Sequence, residues 1–348
     1  MADQPRENLY GLLTANPNRI YVIAEAGLNH GGNKERALAL VRAAKWAGAD
    51  AVKFQTFRAE LLASPRPAKP GHVKDQPNPQ ELFKKLELTF DTFRALHKEA
   101  KRIGIEFLST PFDEQSADFL DEIGVNAFKI ASGDITHRPL IEHVSRKGKP
   151  VLLSTGMSTV EEIEKAIDWL HEQSNDQVVL LHCVSSYPAV HEELNLKSIQ
   201  FLRDRFGVPV GFSDHSIGSL GSVVATSLGA QVIERHFMIE NRGDTPDHAV
   251  SMDAKSLKSH IEELRCIGAI LGQRGKFTSD AESRNRTASR RALYANRPIA
   301  PGEIIHADML YALRPATGIS PEFVDSVIGK QALTRIEAGA PVQWESIQ

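Results

Sequence analysis

Polar side chains interrupt several short apolar runs in this sequence of 348 residues. Lys53 lies within AVKFQ and Lys129 within AFKIAS, where a buried parallel strand should be apolar throughout. Each stem could pack while its head reaches solvent, but a lysine directed into a closed interior needs an anion instead. Nearby runs carry groups that could hold one: Thr110, Ser132 and the segment Ser154-Thr155-Gly156. We predict a phosphate site of two ammonium groups, hydroxyls and backbone amides.

Two histidines end two later runs, His215 in FSDHS and His236 in ERHF. On adjacent strands they would lie within reach of one ion, and Asp214, Glu234 and Asp247 flank them. Imidazole mixed with oxygen ligands suits Mn²⁺, Fe²⁺, Co²⁺ or Zn²⁺, whereas the scarcity of sulfur argues against a structural zinc site. We therefore expect these histidines to bind a divalent metal.

Glu25 is the single acidic residue in the first run, YVIAEAG, which makes it a candidate general acid or base. The alternative is a salt bridge from Glu25 to Lys53 or Lys129. Cys183 ends another run, VVLLHC, and we interpret it as a small buried apolar residue rather than a nucleophile, because no base is marked beside it.

The elements that must position these residues are eight apolar runs separated by helix-like segments. Because strands alternate with helices, the pattern indicates an α/β fold with a parallel sheet, and eight strands favour a closed (β/α)₈ TIM barrel. An open doubly wound sheet is the alternative, but GLNHGG (27–32) lacks its glycine spacing. Active-site residues of such barrels lie at the carboxyl ends of the strands. The runs span residues 21–27, 51–55, 106–110, 127–132, 151–155, 178–183, 209–214 and 231–237.

The chain changes character near residue 272. We predict a barrel domain at 1–272, a polar linker at 273–291 with few helix or strand signals, and a small β-rich domain at 292–348. A proline-rich stretch at 63–80 is long for a neutral connection, and we expect a loop over the barrel mouth.

Charge and composition exclude several partners. Lys and Arg number 41 against 44 Asp and Glu, so the formal net charge of −3 does not favour nucleic acid or anionic lipid. No apolar stretch has the about 20 residues of a membrane span. With two cysteines in the whole chain there is no disulfide framework, so we expect a cytoplasmic protein that binds neither nucleic acid nor membrane.

The motifs together resemble those of the sialic acid synthase family, which includes N-acetylneuraminate, legionaminate and pseudaminate synthases. The C-terminal region resembles the antifreeze-protein-like SAF domain through RPATGIS (314–320) and VIGKQA (327–332). The barrel motifs are IAEAGLNHGG (23–32), VKFQTF (52–57), STPFD (109–113), FKIASGD (128–134), STGMS (154–158), HCVSSYP (182–188), GFSDHS (211–216), ERHF (234–237) and PDH (246–248).

The resemblance implies a reaction and a set of sites. Phosphoenolpyruvate would condense with an N-acylated mannosamine-type aldehyde sugar, giving a nine-carbon 3-deoxy-2-keto acid and phosphate. Arg314 would reach into the barrel of a second subunit, making a domain-swapped homodimer, and the metal would be Mn²⁺, or else Mg²⁺ or Co²⁺. The catalytic candidates are Glu25, Glu234 and Arg314. Phosphoenolpyruvate would contact Lys53, Thr110, Lys129, Ser132, Ser154, Gly156 and Ser213, the sugar Gln55, Tyr187 and Asp247, and the metal His215 and His236.

Two other functions fit part of this pattern. A metal-dependent aldolase or another 3-deoxy-ulosonate synthase would also use two histidines, and a sugar-binding protein could use the C-terminal domain for recognition. The phosphate set together with the C-terminal domain argues against the first alternative. Glu25, Lys53, Lys129 and both histidines argue against the second, because a binding protein has no use for a metal beside a phosphate site. Within the family, SSYPA (185–189) is similar to members that act on diacetamido-dideoxy sugars.

Overall fold

The computed structural model describes residues 8–16, 18–65, 78–240 and 245–348. The chain divides into two compact units, Met1–Gly272 and Gln273–Gln348, and each is described by itself. Most of the loop predicted at 63–80 lies outside the described residues. No helix in the described ranges is long and apolar enough to cross a membrane.

The first unit is a nearly closed barrel of eight parallel strands, and the predicted TIM-barrel class is confirmed. Neighbouring strands pair in the order β3-β2-β1-β8-β7-β6-β5-β4, and the two end strands, β3 and β4, also pack against each other. All eight predicted runs are strands. They are β1 Tyr21–Glu25, β2 Ala51–Thr56, β3 Glu106–Pro111, β4 Phe128–Ile130, β5 Val151–Ser154, β6 Val178–Cys183, β7 Val210–Asp214 and β8 Val232–Met238.

Side chains alternate between the barrel interior and the outer layer, as the two-residue period of a strand requires. On β1, Ile23 belongs to the inner apolar cluster, whereas Val22 and Ala24 pack against the helices. Further along β1 the interior position is taken by Glu25, and on β2 by Lys53. The amino half of the interior is thus apolar and the carboxyl half polar.

Helices surround the strands, and their ends follow the sequence signals. Thr159 and Glu162 form the predicted capping box of α8, and Gly48 ends α2 in a left-handed conformation. The helices of this unit are α1 Leu9–Ala15, α2 Lys34–Ala47, α3 Ala59–Leu62, α4 Pro79–Leu86, α5 Phe90–Ile103, α6 Glu114–Ile123, α7 Arg138–Ser145, α8 Val160–Glu172, α9 Ser198–Phe206, α10 Leu220–Ser227 and α11 Ala254–Leu271, with a short strand β9 Met252–Asp253 beside β8.

The helix α1 covers the amino ends of the barrel strands. Its Leu9 and Leu13 are buried in one apolar cluster with the interior residues of β1 and β3, including Ile23 and Leu108. The side chain of Gln231, just before β8, donates to the Leu13 carbonyl oxygen at 2.8 Å. Apolar contacts from α1 therefore line the barrel interior at this end.

The second unit is β-rich but begins with a helix where a structureless linker was predicted. The helix α12 Asp280–Ser289 is exposed all round and begins with a capping box formed by Ser279 and Glu282. That Ser-x-x-Glu spacing is visible in the sequence, but without an apolar stripe it did not stand out as a helix. After α12 come strands β10 Ala292–Ala295 and β11 Leu310–Leu313, paired antiparallel, and a short helix α13 Val324–Val327, around a separate apolar core.

Candidate active site

A cavity of about 320 Å³ lies at the carboxyl ends of the barrel strands. This is the end at which TIM-barrel enzymes hold their substrates, and the volume falls within the usual range for small-molecule sites. Twelve predicted site residues line it, contributed by β1 to β8 and the loops after them. These are Glu25, Lys53, Gln55, Thr110, Lys129, Ser132, Ser154, Tyr187, Ser213, His215, Glu234 and His236.

The floor of the cavity is a buried cluster of charges around the Lys53 ammonium. Lys53 Nζ lies 2.7 Å from Glu25 Oε2 and 3.6 Å from Glu234 Oε2, and it donates to Thr110 Oγ1 at 3.2 Å. Neither carboxylate nor the lysine is more than 5 % exposed. The contact between Glu25 and Lys53 that the salt-bridge alternative predicts is therefore present, and Glu25 still lines the cavity. Gln55 Nε2 donates to Glu25 Oε1 at 3.3 Å.

The two carboxyl groups differ in their affinity for protons. Burial raises the pKa of Glu25 to about 7, although the neighbouring Lys53 ammonium opposes that rise. Burial would also raise the pKa of Glu234, but the Lys129 and Lys53 ammonium groups and a hydrogen bond from Ser213 outweigh it and hold that pKa at about 2. Glu234 is thus an anion at neutral pH, while Glu25 can exchange a proton there.

The second lysine, Lys129, is free to bind an additional anion. Lys129 Nζ donates to the Ile130 carbonyl oxygen at 3.2 Å, and within the described ranges it forms no ion pair. Burial lowers its pKa. A buried ammonium group without an ion pair is stabilised most by an anion that supplies both negative charge and acceptor oxygens.

Small groups beside Lys129 leave room for such an anion. Ser132 Oγ accepts from the Gly156 amide at 3.0 Å and lies 3.1 Å from Cys183 Sγ. A Cβ on Gly156 would lie 2.4 Å from Ser185 Oγ, 2.8 Å from Cys183 Sγ and 2.9 Å from Ser132 Oγ. Glycine is therefore needed at 156 for the β5 loop to approach these groups. Cys183 is buried and lines the barrel interior at the cavity, as predicted.

The two predicted metal ligands face each other at the wall formed by β7 and β8. The ring centroids of His215 and His236 are 5.5 Å apart, and the Tyr187 ring lies 4.3 Å from that of His215. The Val184 carbonyl oxygen holds His215 Nδ1 at 2.8 Å, which leaves the other ring nitrogen for a ligand. Burial lowers the pKa of both histidines, that of His236 to about 4, so both imidazoles are neutral and able to ligate at pH 7.

These residues fit a divalent cation with an open coordination sphere. His236 Nδ1 is buried and has no hydrogen-bond partner among the described residues, as expected of a nitrogen kept for an ion. The described ranges contain no group of three or more His, Cys, Asp or Glu side chains arranged as a metal site. The protein would supply two nitrogens and leave the other positions to water or substrate oxygens, which is typical of catalytic rather than structural sites.

Asp247 stands beside the histidine pair. Its Oδ2 accepts from the Leu28 amide at 2.7 Å and lies 3.6 Å from His236 Nδ1. Asp247 can lie this close to the backbone after β1 because residue 27 is a glycine. A Cβ there would lie 2.3 Å from Asp247 Oδ2, and Gly27 has a φ of +47°. Asp214, the other acid expected near the histidines, instead points to the outer wall, where it pairs with Arg235.

The remaining predicted residue, Arg314, lies in the second unit and is exposed in the segment after β11. Its reach into a barrel stays a prediction. Five more residues line the cavity in the loops after the strands. They lie within the family motifs quoted above, but no contact was predicted for them. They are Phe112, Ala131, Gly133, Met157 and Ser185.

The fold and the site define a TIM-barrel protein with a carboxyl-end site and a C-terminal SAF domain. The sequence pattern of the NeuB family matches residues 40–276, and that of the SAF domain matches residues 290–348. This chain belongs to the NeuB family. The resemblance to sialic acid synthases is thereby confirmed.

Relatives match over nearly the whole chain. N,N'-diacetyllegionaminic acid synthase from Legionella pneumophila is 40 % identical over 94 % of both chains. Pseudaminic acid synthase from Campylobacter jejuni is 34 % identical over 92 % of this chain and 94 % of that protein. The crystal structure of N-acetylneuraminic acid synthetase from Leptospira borgpetersenii, in complex with citrate, has a TM-score of 0.70 and 34 % identity, and the match covers 78 % of this chain and 91 % of that one.

The two buried lysines should differ in their effect on stability. Lys53→Met leaves two buried carboxyl groups without their common partner, and we expect it to cost about 3–5 kcal/mol of unfolding free energy at pH 8. Lys129→Met removes a cation that forms no ion pair but helps to keep Glu234 ionised. Relief of the buried ammonium offsets part of that effect, so we expect a smaller loss of about 1–2 kcal/mol. Urea unfolding of both variants measures the difference. Equal losses would contradict the arrangement of charges described above.

The two carboxyl groups should affect stability with opposite signs. Because the folded Glu25 keeps its proton up to about pH 7, against 4.5 for an unperturbed glutamate, stability falls as pH rises through that window. Glu25→Gln should therefore match the wild type at pH 4 and exceed it by about 3 kcal/mol at pH 8. Glu234, with its lowered pKa, stabilises the fold above pH 4.5, and that contribution is lost as pH falls through about 2.

Glu234→Gln is accordingly the matched control for Glu25→Gln and should be less stable than the wild type at pH 8. Unfolding curves at pH 4, 6 and 8 measure both variants. A pH-independent difference between Glu25→Gln and the wild type would show that the Glu25 pKa is not raised.

Proposed function

We propose that this protein condenses phosphoenolpyruvate with an N-acylated mannosamine-type aldehyde sugar to form a nine-carbon 3-deoxy-2-keto acid and inorganic phosphate. The observation that carries the proposal is the meeting, in one cavity, of the lysine pair Lys53 and Lys129 with the histidine pair His215 and His236. The first pair suits an anionic phosphate ester, and the second suits a cation. Membership of the NeuB family and the names of the relatives support the same reaction.

Lys129, Lys53 and the hydroxyls of Ser132, Ser154 and Thr110 would hold the phosphate and carboxylate of phosphoenolpyruvate. His215 and His236 would hold a divalent cation, Mn²⁺ in our proposal, whose chemistry there is Lewis-acid polarisation of the sugar's carbonyl oxygen. Gln55, Tyr187 and Asp247 would orient the sugar.

The reaction forms a carbon–carbon bond to the sugar and a carbon–oxygen bond from water to C2, and it breaks the carbon–oxygen bond to phosphate. Of the two protons of that water, one ends on the former aldehyde oxygen and one on phosphate. C3 of phosphoenolpyruvate attacks the aldehyde carbon, which leaves positive charge at C2, and water adds to C2 before phosphate departs. The carboxylate of Glu234, an anion at neutral pH, stabilises the positive charge from the cavity floor. Glu25, with a pKa near 7, takes the proton of the attacking water.

Among acylated sugars, we propose a diacetamido-dideoxy sugar. The segment SSYPA (185–189) includes Ser185 and Tyr187, which line the cavity. The Legionella relative is named for a product that carries two N-acetyl groups.

We also propose that the protein acts in the cytoplasm. Both cysteines of the chain are free thiols, which agrees with a reducing compartment.

The test is phosphate release by the full-length chain with phosphoenolpyruvate, Mn²⁺ and a panel of aldehyde sugars. We expect release only when an N-acylated sugar and the cation are both present, with at least about a 100-fold loss for His215→Ala or His236→Ala. His171→Ala, which alters a histidine exposed on α8, is the control and should keep full activity. Release with non-acylated aldehydes alone would favour another 3-deoxy-ulosonate synthase. No release with any aldehyde would favour a sugar-binding protein.

We also propose that the active enzyme is a domain-swapped homodimer in which Arg314 completes the partner's site. Arg314 is exposed, and the backbone around it is anchored within the second unit. Tyr294 Oη donates to the Pro315 carbonyl oxygen at 2.7 Å, and Arg291 Nη1 donates to the Ala312 carbonyl oxygen at 2.9 Å. A guanidinium presented on an anchored turn can bind polar sugar groups with a forked set of donors.

Mixing two inactive variants tests the exchange of Arg314. In a heterodimer of Arg314→Ala and His236→Ala, one barrel keeps its histidines and receives an intact arginine from the other subunit. With random exchange we expect about a quarter of wild-type phosphate release, whereas each variant alone has little. If mass spectrometry shows heterodimers and no activity returns, Arg314 does not act across subunits. An active monomer would contradict the swapped dimer altogether.

A further inference from the structure

A buried ion pair lies on the outer wall of the barrel, directly behind the two histidines. Arg235 Nη1 is 2.9 Å from Asp214 Oδ1, and the two residues are 1 % and 0 % exposed. They are register partners on β8 and β7. Because successive side chains of a strand point to opposite faces, Arg235 lies outside the barrel while its neighbour His236 lines the cavity inside.

The pair fixes the backbone on both sides of His215. Arg235 donates to the carbonyl oxygens of Asp214 and Ser216. The Asp214 carboxylate in turn accepts from the Ser216 amide at 2.8 Å and from the Ser216 hydroxyl at 2.6 Å. Its other oxygen accepts from Ser222 Oγ on α10 at 2.6 Å. His215 therefore lies between two residues whose backbone is tied to β8.

These contacts use the two terminal nitrogens of Arg235 and leave the third nitrogen without a hydrogen bond. That nitrogen, Nε, is buried without a hydrogen-bond partner in the described part of the chain, and neither ring nitrogen of His260, on the neighbouring helix α11, forms a hydrogen bond there. A buried ion pair is often no more stabilising than apolar residues of similar size, because desolvation costs several kcal/mol per ion. General stability thus does not account for an arginine in this layer.

We propose that Asp214 and Arg235 are positioning residues that set the separation and orientation of His215 and His236 for one cation. The arginine lies next to one histidine in sequence and is bonded to both neighbours of the other, so it links the two ligands through the barrel wall. The inference rests on the proposed metal role of the histidines. It adds that the affinity for the cation depends on a pair that touches neither the cation nor the substrates.

The test is Mn²⁺ binding by the metal-stripped full-length protein, measured by titration with electron paramagnetic resonance detection of free Mn²⁺. The variant Asp214→Asn/Arg235→Met carries no buried charge and keeps an acceptor for the Ser216 amide. We expect it to remain folded by circular dichroism and to bind Mn²⁺ about 10- to 100-fold more weakly than the wild type. Its KM for phosphoenolpyruvate should change less than about twofold while kcat falls, because the lysines lie on β2 and β4.

A matched control uses the same substitutions at the opposite end of the barrel. Asp50, at the start of β2, pairs with Arg265 of α11. Asp50→Asn/Arg265→Met should leave Mn²⁺ affinity within about twofold of the wild type, since separate sites act independently.

A second variant covers the case in which the double variant does not fold. Arg235→Lys keeps the charge but cannot bond Asp214 and the Ser216 carbonyl oxygen together, and we expect about a three- to tenfold loss of Mn²⁺ affinity. Wild-type affinity in either folded variant would overturn the positioning role. If His215→Ala and His236→Ala also bind Mn²⁺ like the wild type, the metal site itself is wrong, which is a separate failure.

Discussion

The site depends on one constraint, which is that a lysine ammonium buried inside a barrel must be neutralised there. Lys53 lies between Glu25 and Glu234, and this contact draws strands β1, β2 and β8 to a common floor. Charges removed from water interact strongly only when their geometry is fixed. The apolar amino half of the barrel and the surrounding helices supply that rigidity. The electrostatics of the site therefore depend on the packing of the core.

The balance of charges explains why the site can bind an anion and still handle a proton. Two lysines face two glutamates, but the carboxyl groups are not equivalent, because Glu234 is held as an anion whereas Glu25 is neutral up to about pH 7. With Glu25 protonated, the cluster carries an excess of positive charge that an incoming phosphate can neutralise. Environments that separate the pKa values of paired acids are typical of catalytic sites.

Much of the barrel and its site could be predicted from sequence, because strands buried on both faces are apolar and any polar residue in them stands out. Lys53, Lys129, His215 and His236 were found in this way. The loop residues of the cavity wall could not be assigned in this way, because Phe112, Ala131, Gly133 and Met157 carry no polar group that would indicate a site. Sequence spacing also could not decide between a free Glu25 and a salt bridge, which depends on the inward direction of neighbouring side chains. Nor could it show that Asp214 turns outward to Arg235 while His215 turns inward.

The packing of helix α1 at the amino end affects how molecules can reach the site cavity. Leu9 and Leu13 pack into the apolar amino half of the barrel interior, and the described residues of the site cavity lie at the carboxyl ends of the strands. Lys53 lies at the bottom, 3 % exposed, whereas Tyr187 stands at the rim with half of its surface exposed. A molecule bound beside Tyr187 would therefore lie over one bound to the lysines, so that the order in which two molecules bind would matter.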